Sequence, residues 1–306
     1  MNLGKVVSAI NEAESIALIA HIMPDGDTLG SCLALYYSIK KLKNEVELFC
    51  TDSTPQNLNF LKDIGNFKND EKMGKTYDLC IAVDCSDIYR LGTLRDLFEA
   101  SARTISIDHH SSNTFFADIN LVDADAAATG EIVYQLLILL PKGIDINIAT
   151  ALYTAITTDT GNFSFGNTSA NTFRIAAELT EQGINIDEIT TKLFRTKSIE
   201  RIQLLARALS SLEMSEDKKI ALLKVTQKDM IEIGAAQSDT ENIINYAKEI
   251  EGVELAILLK ETNKSNTKIS LRTSENLDAS EIASYFGGGG HKRAAGANIE
   301  DTLNKA

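Results

Sequence analysis

The sequence predicts an α/β fold, with an open parallel sheet in an N-terminal domain, a helical connector, and a smaller α/β domain after it. Apolar segments of strand length alternate with segments of helical periodicity through the first half of the chain, which is typical of βα units in a parallel sheet. Residues 77–84 are almost continuously apolar, as in a strand that is covered on both faces. A second series of strand-like and helix-like segments begins near residue 218.

The first half contains four predicted strands and four predicted helices. Each strand is a short apolar run, and we place the strands at residues 15–21, 45–50, 77–84 and 103–108. The helices have the apolar periodicity of an amphipathic helix, and we place them at residues 28–43, 129–140, 145–159 and 169–182. The basic residues that end the first helix favour a helix C-terminus, where cations interact well with the helix dipole.

The second half begins with a predicted helical connector. Residues 187–214 are rich in Leu, Ile and Arg and contain no obvious cluster of turn residues. The strands that follow are expected at residues 219–225, 253–260 and 267–272, and the helices near 227–235, 240–250 and 278–286. A chain of 306 residues is long enough for two domains, and we expect the boundaries 1–186, 187–216 and 217–306.

Composition and charge narrow the class of protein. The net charge is −13, so the chain lacks the basic surface with which proteins usually hold long nucleic acid. A nucleic-acid substrate should therefore be short or bound at a local site. No segment is apolar over the roughly 18 residues that a membrane span needs, and the first residues do not resemble a signal peptide. We expect a cytoplasmic protein whose four cysteines are reduced and packed.

Polar side chains stand at the ends of three predicted strands. His21, Asp84 and Asp108 each close an apolar run. Ligands of open α/β sheets bind beyond the carboxyl ends of the strands, so we expect these three side chains to converge on one edge. A carboxylate at the end of a buried strand, such as Asp84, is costly unless it is paired or bound to a cation.

The motif H-I-M-P-D-G-D at residues 21–27 supplies one imidazole and two carboxylates directly after a strand. Asp25 and Asp27 can face different cations across a bent loop. The alternative interpretation is helix capping, in which Asp27 caps the helix that begins at residue 28. Because His21 belongs to the same motif, we favour the metal interpretation.

Two later motifs supply further groups of the kind that bind metals. In D-H-H at residues 108–110, adjacent side chains of an extended strand should point to opposite sides, so that one ring reaches a cation and the other turns towards substrate. Asp108 can orient an imidazole, as carboxylates often do near metals. Asp159 ends a predicted helix, where a carboxylate opposes the helix dipole. This unfavourable placement favours a bound cation over an ordinary helix end.

A glycine run near residue 290 predicts an anion site. Gly287 to Gly290 are followed by His291, Lys292 and Arg293. The backbone amides of a glycine-rich loop can approach an anion closely, and cationic side chains add charge. A flexible linker is the alternative interpretation. The run lies between a predicted helix and a strand of small residues, which favours a site for phosphate or carboxylate.

Taken together, these motifs resemble those of the DHH phosphoesterase superfamily. H-I-M-P-D-G-D-T-L-G-S, V-D-C-S-D, D-H-H-S-S-N and T-D-T-G-N-F occur in the order of that family, and G-G-G-G-H-K-R-A-A-G resembles its DHHA1 C-terminal domain. The match runs from about residue 15 to residue 299 and is closest to the NrnA-like oligoribonuclease and pAp phosphatase branch. The resemblance implies a catalytic DHH domain at 1–186 and a substrate-binding DHHA1 domain at 217–306.

The resemblance also implies a centre of two divalent cations, usually manganese. The implied metal ligands are His21, Asp25, Asp27, Asp84, His109 and Asp159. His21 and Asp25 would hold one cation, and Asp84 would bridge it to the second, which the other three residues would hold. Two cations about 3.5–4 Å apart lower the pKa of a shared water and neutralise the charge that develops on phosphorus.

Catalytic and substrate-binding residues follow from the same resemblance. The implied catalytic residues are Asp84, Asp108, His109 and His110, with His110 close to the reacting phosphate. The implied substrate contacts, which lie in the C-terminal domain, are Arg272, Gly288, Gly289, Gly290 and His291. A clamp of this kind on a terminal phosphate would favour a short substrate held in a cleft between the domains.

The expected activity is hydrolysis of very short RNA to mononucleotides, together with removal of the 3′-phosphate of pAp. A phosphodiesterase for cyclic di-AMP or its linear product pApA would use the same chemistry on another substrate. An inactive nucleotide-binding regulator is a third hypothesis, but all six implied ligands are present. The expected partners are short RNA or small nucleotides, with neither long nucleic acid nor a membrane, and a homodimer stays open.

Overall fold

The computed structural model divides the chain into two compact units, Met1–Thr196 and Lys197–Ala306. The division falls inside the segment predicted as a connector, whose first helices belong to the first unit and whose last helix belongs to the second. The residues that the structure describes are 2–43, 45–69, 75–263, 265–303 and 305.

The first unit is built on a five-stranded sheet in which every pair of neighbouring strands is parallel. Its strands are β1 (Ser15–Ala20), β2 (Glu45–Phe49), β3 (Leu79–Val83), β4 (Thr104–Asp108) and β5 (Ile119–Val122). Their order across the sheet is β2-β1-β3-β4-β5, which confirms the predicted open parallel α/β fold. The fifth strand was not predicted, because four residues of which only Leu121 is buried leave no clear apolar run.

The register of the sheet brings the carboxyl ends of the central strands together. Ala20 of β1 lies beside Val83 of β3, and Val83 lies beside Ile107 of β4. His21, Asp84 and Asp108 are each one residue farther along. The three side chains predicted to converge therefore leave the sheet at the same edge.

Helices cover the sheet of the first unit. They are α1 (Leu3–Glu12), α2 (Gly26–Lys40), α3 (Arg95–Ala100), α4 (Thr129–Leu137), α5 (Ile146–Asp159), α6 (Ala170–Thr180) and α7 (Ile186–Thr190), which continues into a π-helical turn, Thr191–Arg195. Helix α2 is buried along most of its length and packs closely on α5. A Cβ at Gly30 would lie 2.5 Å from the carbonyl oxygen of Ala151, so this contact requires glycine.

The described residues of the second unit form a six-stranded mixed sheet and four α-helices. Its elements are α8 (Ile199–Ser210), β6 (Glu213–Met214), β7 (Ile220–Val225), α9 (Gln227–Ile233), α10 (Ile243–Lys248), β8 (Leu255–Asn263), β9 (Asn266–Thr273), α11 (Ala279–Ser284), β10 (Gly289–His291) and β11 (Ala294–Ile299). The strand order is β10-β11-β9-β8-β7-β6, and only β7 and β8 pair in parallel. The second α/β unit agrees with the predicted fold class.

The structure also bears on the predictions about membrane-spanning segments and about the cysteines. Within the described residues, no helix combines the length and the apolar character that crossing a bilayer requires. The cysteines Cys32, Cys50, Cys80 and Cys85 are all buried and free of disulfide bonds, and their burial agrees with the expectation that most of them are packed.

Candidate metal centre

The carboxyl edge of the first sheet gathers three overlapping groups of metal-ligand atoms. Within each group, the candidate ligand atoms lie within 4.8 Å of one another. The groups are His21 with Asp25 and Asp84, Asp27 with His109 and Asp159, and Asp84 with His109 and His110. The structure thus brings together all six residues that the sequence singled out as metal ligands.

Asp84 lies at the centre of this cluster and belongs to two of the groups. Its Oδ2 is 3.5 Å from Nε2 of His21, and its Oδ1 is 3.7 Å from Nε2 of His109. Its backbone has a φ of +60°, a left-handed conformation that costs free energy for a residue with a Cβ. The two oxygens of one carboxylate therefore face two different imidazoles, which is the geometry of a bridging ligand.

His21 presents Nε2 to the cluster because its other ring nitrogen is engaged. Nδ1 lies 2.7 Å from the carbonyl oxygen of Ile22, and donation to that carbonyl places the hydrogen on Nδ1 and the lone pair on Nε2. A guanidinium nitrogen of Arg90 is 2.9 Å from the same Nδ1; a protonated Nδ1 cannot accept from it, so Arg90 contributes a nearby positive charge. Burial lowers the pKa of His21, but hydrogen bonding to Asp84 and the charge of that carboxylate raise it above its ordinary value.

Asp25 combines the two roles that the sequence presented as alternatives. Its Oδ1 accepts hydrogen bonds from the backbone N–H groups of Asp27 and Thr28, both at 3.1 Å, and so caps α2. Its Oδ2 lies 3.9 Å from Nε2 of His21. The capping role that was the alternative interpretation of Asp27 is thus performed by Asp25, because the helix begins at Gly26 and leaves Asp27 inside the first turn.

Asp27 is fully buried and is held by three donors. The backbone N–H groups of Thr129 and Gly130 donate to it at 2.7 and 2.9 Å, and the hydroxyl of Ser31 at 3.1 Å. Burial raises the pKa of Asp27 well above its ordinary value, and the charges of neighbouring carboxylates, above all Asp84, raise it further. A cation at this position would remove that penalty.

His109 joins Asp27 to the end of α5. Its Nε2 lies 3.1 Å from Oδ2 of Asp159 and 3.9 Å from Oδ2 of Asp27, and its Nδ1 lies 3.2 Å from the carbonyl oxygen of Ala126. Burial lowers the pKa of His109, but the hydrogen bond with Asp159 and the charge of Asp84 raise it to about 9. The carboxylate that opposes the dipole of α5 is therefore placed against this imidazole.

The motif D-H-H corrects one prediction about side-chain direction. The rings of His109 and His110 do not point to opposite sides; their centroids are 4.7 Å apart, and both rings approach Oδ1 of Asp84, at 3.7 and 3.6 Å. The strand ends at Asp108, so the alternation of an extended strand no longer applies to the two histidines.

Asp108 is fully buried and orients His110. Its Oδ1 is 2.7 Å from Nδ1 of His110, and its Oδ2 accepts a hydrogen bond of 2.7 Å from the side-chain amide of Asn113. The hydrogen bond to Asp108 raises the pKa of His110. Asp108 thus supports an imidazole, while the side chain of His110 is 43% exposed to solvent.

The N-terminus of α4 contributes groups that the sequence analysis missed. Besides its backbone bond to Asp27, Thr129 donates a hydrogen bond of 2.8 Å from its hydroxyl to Oδ1 of Asp84. The two backbone amides at the start of this helix also direct its positive end towards the carboxylates. Gly130 is required there, because a Cβ would lie 2.8 Å from Cβ of Ala155. The available signal was the pair Thr-Gly at the start of a predicted helix.

In the second unit, the last two glycines of the run lie in an edge strand, Gly289–His291, where a loop was predicted. A Cβ at Gly288 would lie 2.2 Å from the carbonyl oxygen of Gly296, and one at Gly290 would lie 2.6 Å from that of Ala294. These glycines let β10 pair closely with β11. A Cβ at Gly289 would meet open space, so neither packing nor a positive φ explains this glycine.

The mixed sheet aligns the two predicted phosphate contacts of the second unit. Arg272 of β9 and His291 of β10 both pair with Ala294 of β11, one from each side. Directly opposed residues of antiparallel strands direct their side chains to the same face. Arg272 and His291 therefore lie in one row, separated by a single methyl side chain.

Known proteins match both units of the chain. The model of the DHH family, N-terminal domain, matches residues 15–156, and that of the DHHA1 domain matches residues 217–306. The bifunctional oligoribonuclease and PAP phosphatase NrnA of Thermus thermophilus is 32% identical over 93% of this chain and 84% of the relative. The protein of the same name from Bacillus subtilis is 26% identical over 96% and 92%. Among solved structures, an exopolyphosphatase-related protein from Bacteroides fragilis superposes with a TM-score of 0.92 at 25% identity, covering 99% of this chain and 92% of that one.

Proposed function

Since this chain belongs to the NrnA-like branch of the DHH phosphoesterase superfamily, and is therefore a hydrolase, we propose that it releases mononucleotides from very short RNA and removes the 3′-phosphate of pAp. The relatives named for both activities match it over nearly its whole length. Its net charge of −13 fits a short substrate better than a long one, because long nucleic acid is held mainly through basic surfaces.

The observation that carries this proposal is the position of Asp84 between two ligand groups. One of its oxygens faces His21 and the other faces His109. A buried carboxylate in a left-handed conformation is unfavourable by itself. A centre of two cations needs a shared ligand.

The chemistry of the donor set fits divalent cations. Carboxylate oxygens and imidazole nitrogens together suit manganese, and they also accept magnesium, zinc or iron; we propose manganese. When bound, two such cations supply Lewis acidity, lower the pKa of a coordinated water and offset charge on the phosphoryl group. Burial, and after it the charges of neighbouring carboxylates, raise the pKa of Asp27, and bound cations would offset both effects.

His110 is the side chain that we propose to act on the substrate directly. Asp108 holds its Nδ1, which fixes the ring and leaves Nε2 available. The hydrogen bond to Asp108 raises the pKa of His110 and so favours the protonated ring, whose Nε2–H can donate a hydrogen bond to a phosphoryl oxygen or a proton to the leaving oxygen. Asp108 acts through His110, and Thr129 acts through Asp84.

For the second unit, we propose that the row of Arg272 and His291 binds a substrate phosphate, with the amide of Gly289 beside it. Both side chains can donate hydrogen bonds to an anion. Arg272→Met and His291→Ala should each raise KM with less effect on kcat if they provide uniform binding. Gly289→Ala should fold normally, because a methyl group there meets no atom, and should raise KM if an anion approaches the amide.

The decisive experiment is manganese-dependent turnover of RNA dinucleotides to pentanucleotides, with pAp, pApA and cyclic di-AMP assayed in the same enzyme preparation. We expect mononucleotide release to be fastest on the shortest RNA, and AMP to form from pAp. A strong preference for cyclic di-AMP would replace our substrate assignment with that of a cyclic-dinucleotide phosphodiesterase. Tight nucleotide binding without turnover, with bound metal confirmed, would instead support a regulator.

A cytoplasmic location and a homodimeric state complete the proposal. Cell fractionation tests the first, and sedimentation of the purified protein tests the second.

A further inference from the structure

Phe115 is a large apolar side chain that is 63% exposed, although its backbone conformation is unfavourable. Its φ is +54°, a left-handed value that favours glycine or asparagine over an aromatic residue. The next residue, Phe116, packs against Phe98 with ring centroids 5.5 Å apart. Of two consecutive phenylalanines, one thus enters the core and the other stays outside.

The other exposed aromatic rings of the first unit have visible partners. Phe173 stacks on Phe163, with centroids 5.7 Å apart, and the guanidinium of Arg95 lies 5.4 Å from the ring of Tyr89. The ring of Phe165 lies over Gly161, where an added Cβ would come within 2.3 Å of it. Phe115 has no stacked ring and no cation over its face among the residues that the structure describes. Packing within the unit therefore does not account for it.

A chain of hydrogen bonds connects the backbone of Phe115 to His110 at the metal centre. Its backbone N–H donates a hydrogen bond of 2.7 Å to the side-chain oxygen of Asn113. The amide nitrogen of Asn113 donates to Asp108, which in turn holds His110. Asn113 is itself buried, so one buried side chain fixes both the exposed phenylalanine and the carboxylate that orients His110.

We propose that Phe115 is a nucleobase-binding residue, and that its ring stacks on a base of the nucleotide whose phosphate is held at His110. This inference rests on the proposed function, because it requires a substrate that carries a base. Stacking on an aromatic ring is tolerant of base identity, since every base has a π face. It suits an enzyme that must accept short RNA of any sequence.

The test removes the ring without straining the loop. Phe115→Gly takes away the side chain at a position whose φ suits glycine, so we expect unchanged or slightly increased thermal stability. Phe115→Tyr keeps a ring and is the matched control. Each variant is assayed on pAp and on ribose 3′,5′-bisphosphate, which is the same molecule without its base.

If Phe115 binds the base, Phe115→Gly raises KM for pAp by roughly 5- to 150-fold, the range expected for loss of one base–aromatic stack, with kcat nearly unchanged. KM for ribose 3′,5′-bisphosphate stays the same, and Phe115→Tyr behaves like the wild type on both. An equal loss on the two substrates would assign Phe115 to loop structure and overturn the inference, as would no loss on either.

A binding measurement keeps this inference separate from the proposed function. Calorimetry compares AMP with ribose 5-phosphate on the metal-loaded wild type and on Phe115→Gly. We expect the wild type to prefer AMP and the variant to lose that preference by a similar factor. If the wild type binds the two equally, no base site exists, whatever the enzyme hydrolyses. If pAp and RNA are not hydrolysed but the preference for AMP depends on Phe115, the proposed function fails and the base site stands.

Discussion

The two units of the chain differ in the surroundings of the residues that we expect to bind ligands. In the first unit, Asp27 and Asp84 are buried at the edge of a parallel sheet, where burial and then the charges of other carboxylates raise the pKa of Asp27. In the second unit, the glycine strand β10 lies at the exposed edge of a mixed sheet. The grouped carboxylates of the first unit are unfavourable without a bound cation, whereas the glycine strand of the second unit needs no ligand.

This difference shows that a motif of grouped carboxylates indicates a bound ligand more strongly than a run of glycines does. Buried carboxylates repel one another and lose hydration, so their grouping is itself a reason to expect cations. Glycines have a competing explanation in backbone geometry. Gly287 has a left-handed φ of +69°, Gly288 and Gly290 are needed for the close approach of the chain to β11, and Gly289 is left for a ligand to explain.

The largest expected effect in the first unit is that of Asp84→Ala. Because both ligand groups lose their shared carboxylate, we expect activity to fall by more than about 100-fold, beyond the loss usual for residues that only support a ligand. Metal content, measured by mass spectrometry after gel filtration, should fall with it. Asp217→Ala, which removes an exposed carboxylate of the second unit, is the control and should change neither. Retention of both metal and hydrolysis by Asp84→Ala would remove the basis of the two-cation centre.

A smaller effect is expected from removing the hydroxyl that supports Asp84. Thr129→Val keeps the size of the side chain and deletes the hydrogen bond of 2.8 Å to Oδ1 of Asp84. We expect metal affinity or activity to fall roughly 10- to 100-fold, as is usual for groups that orient a metal ligand.

Thr267→Val is the matched control from the second unit. Thr267 is also fully buried, and its hydroxyl donates to the carbonyl oxygen of Asp301 at 3.1 Å. Its loss should cost about 1 kcal/mol of stability and leave KM and kcat unchanged. If the two variants lose activity equally, the hydroxyl of Thr129 has no special role at the metal centre.

The sequence predicted the first unit well where one physical rule was sufficient. Parallel strands end at a common edge, so the polar residues His21, Asp84 and Asp108 at the ends of apolar runs were expected to meet there. The structure confirms that convergence. The six side chains that the resemblance implies as metal ligands all lie in the groups of candidate ligand atoms, and their binding of metal stays a prediction.

The remaining contacts join residues that are far apart in the sequence, so no local pattern predicts them. The amide of Thr129 meets Asp27, which lies 102 residues earlier, and Arg90 meets His21 across 69 residues. The rings of His109 and His110 could not be placed by alternation, since the strand ends just before them. The glycine run was predicted as a loop because its pairing with β11 appears only when the two backbones approach.

Metal binding should stabilise the first unit selectively. A cation present at a hundred times its Kd adds about 2.7 kcal/mol per site, which corresponds to a rise in Tm of roughly 5–10 °C for a unit of this size. Hydrogen exchange with and without manganese can assign the gain to residues, and we expect it in α2, α4 and α5 but not in β8 to β11. Equal protection of both units would show that the metal does not act through the carboxylate cluster.

The smallest effect is expected from substitutions of Asp25 and Asp145. Both aspartates cap helices of the first unit, but their pKa values shift in opposite directions. Burial and the charge of Asp84 raise the pKa of Asp25, so its ionisation opposes folding in metal-free protein at neutral pH. Asn also caps helices well, and Asp25→Asn should therefore stabilise the metal-free protein at pH 7. The gain should shrink as the pH falls towards the unfolded value near 4. It should be modest, because the side chain of Asp25 is 56% exposed and solvent screens its charge.

Asp145, which caps α5 through the N–H groups of Asn147 and Ile148, is the control with the opposite sign. Burial alone would raise its pKa, but those hydrogen bonds and the ion pair with Lys41 at 2.9 Å lower it. Asp145→Asn should therefore destabilise the protein at pH 7, and the loss should disappear as the pH falls through the lowered pKa of Asp145. Urea unfolding of metal-free protein, followed from pH 7 to below the unfolded aspartate pKa of about 4, measures both differences. If the two variants shift stability in the same direction, crowding of carboxylates at the candidate metal centre is not what distinguishes Asp25 from an ordinary cap.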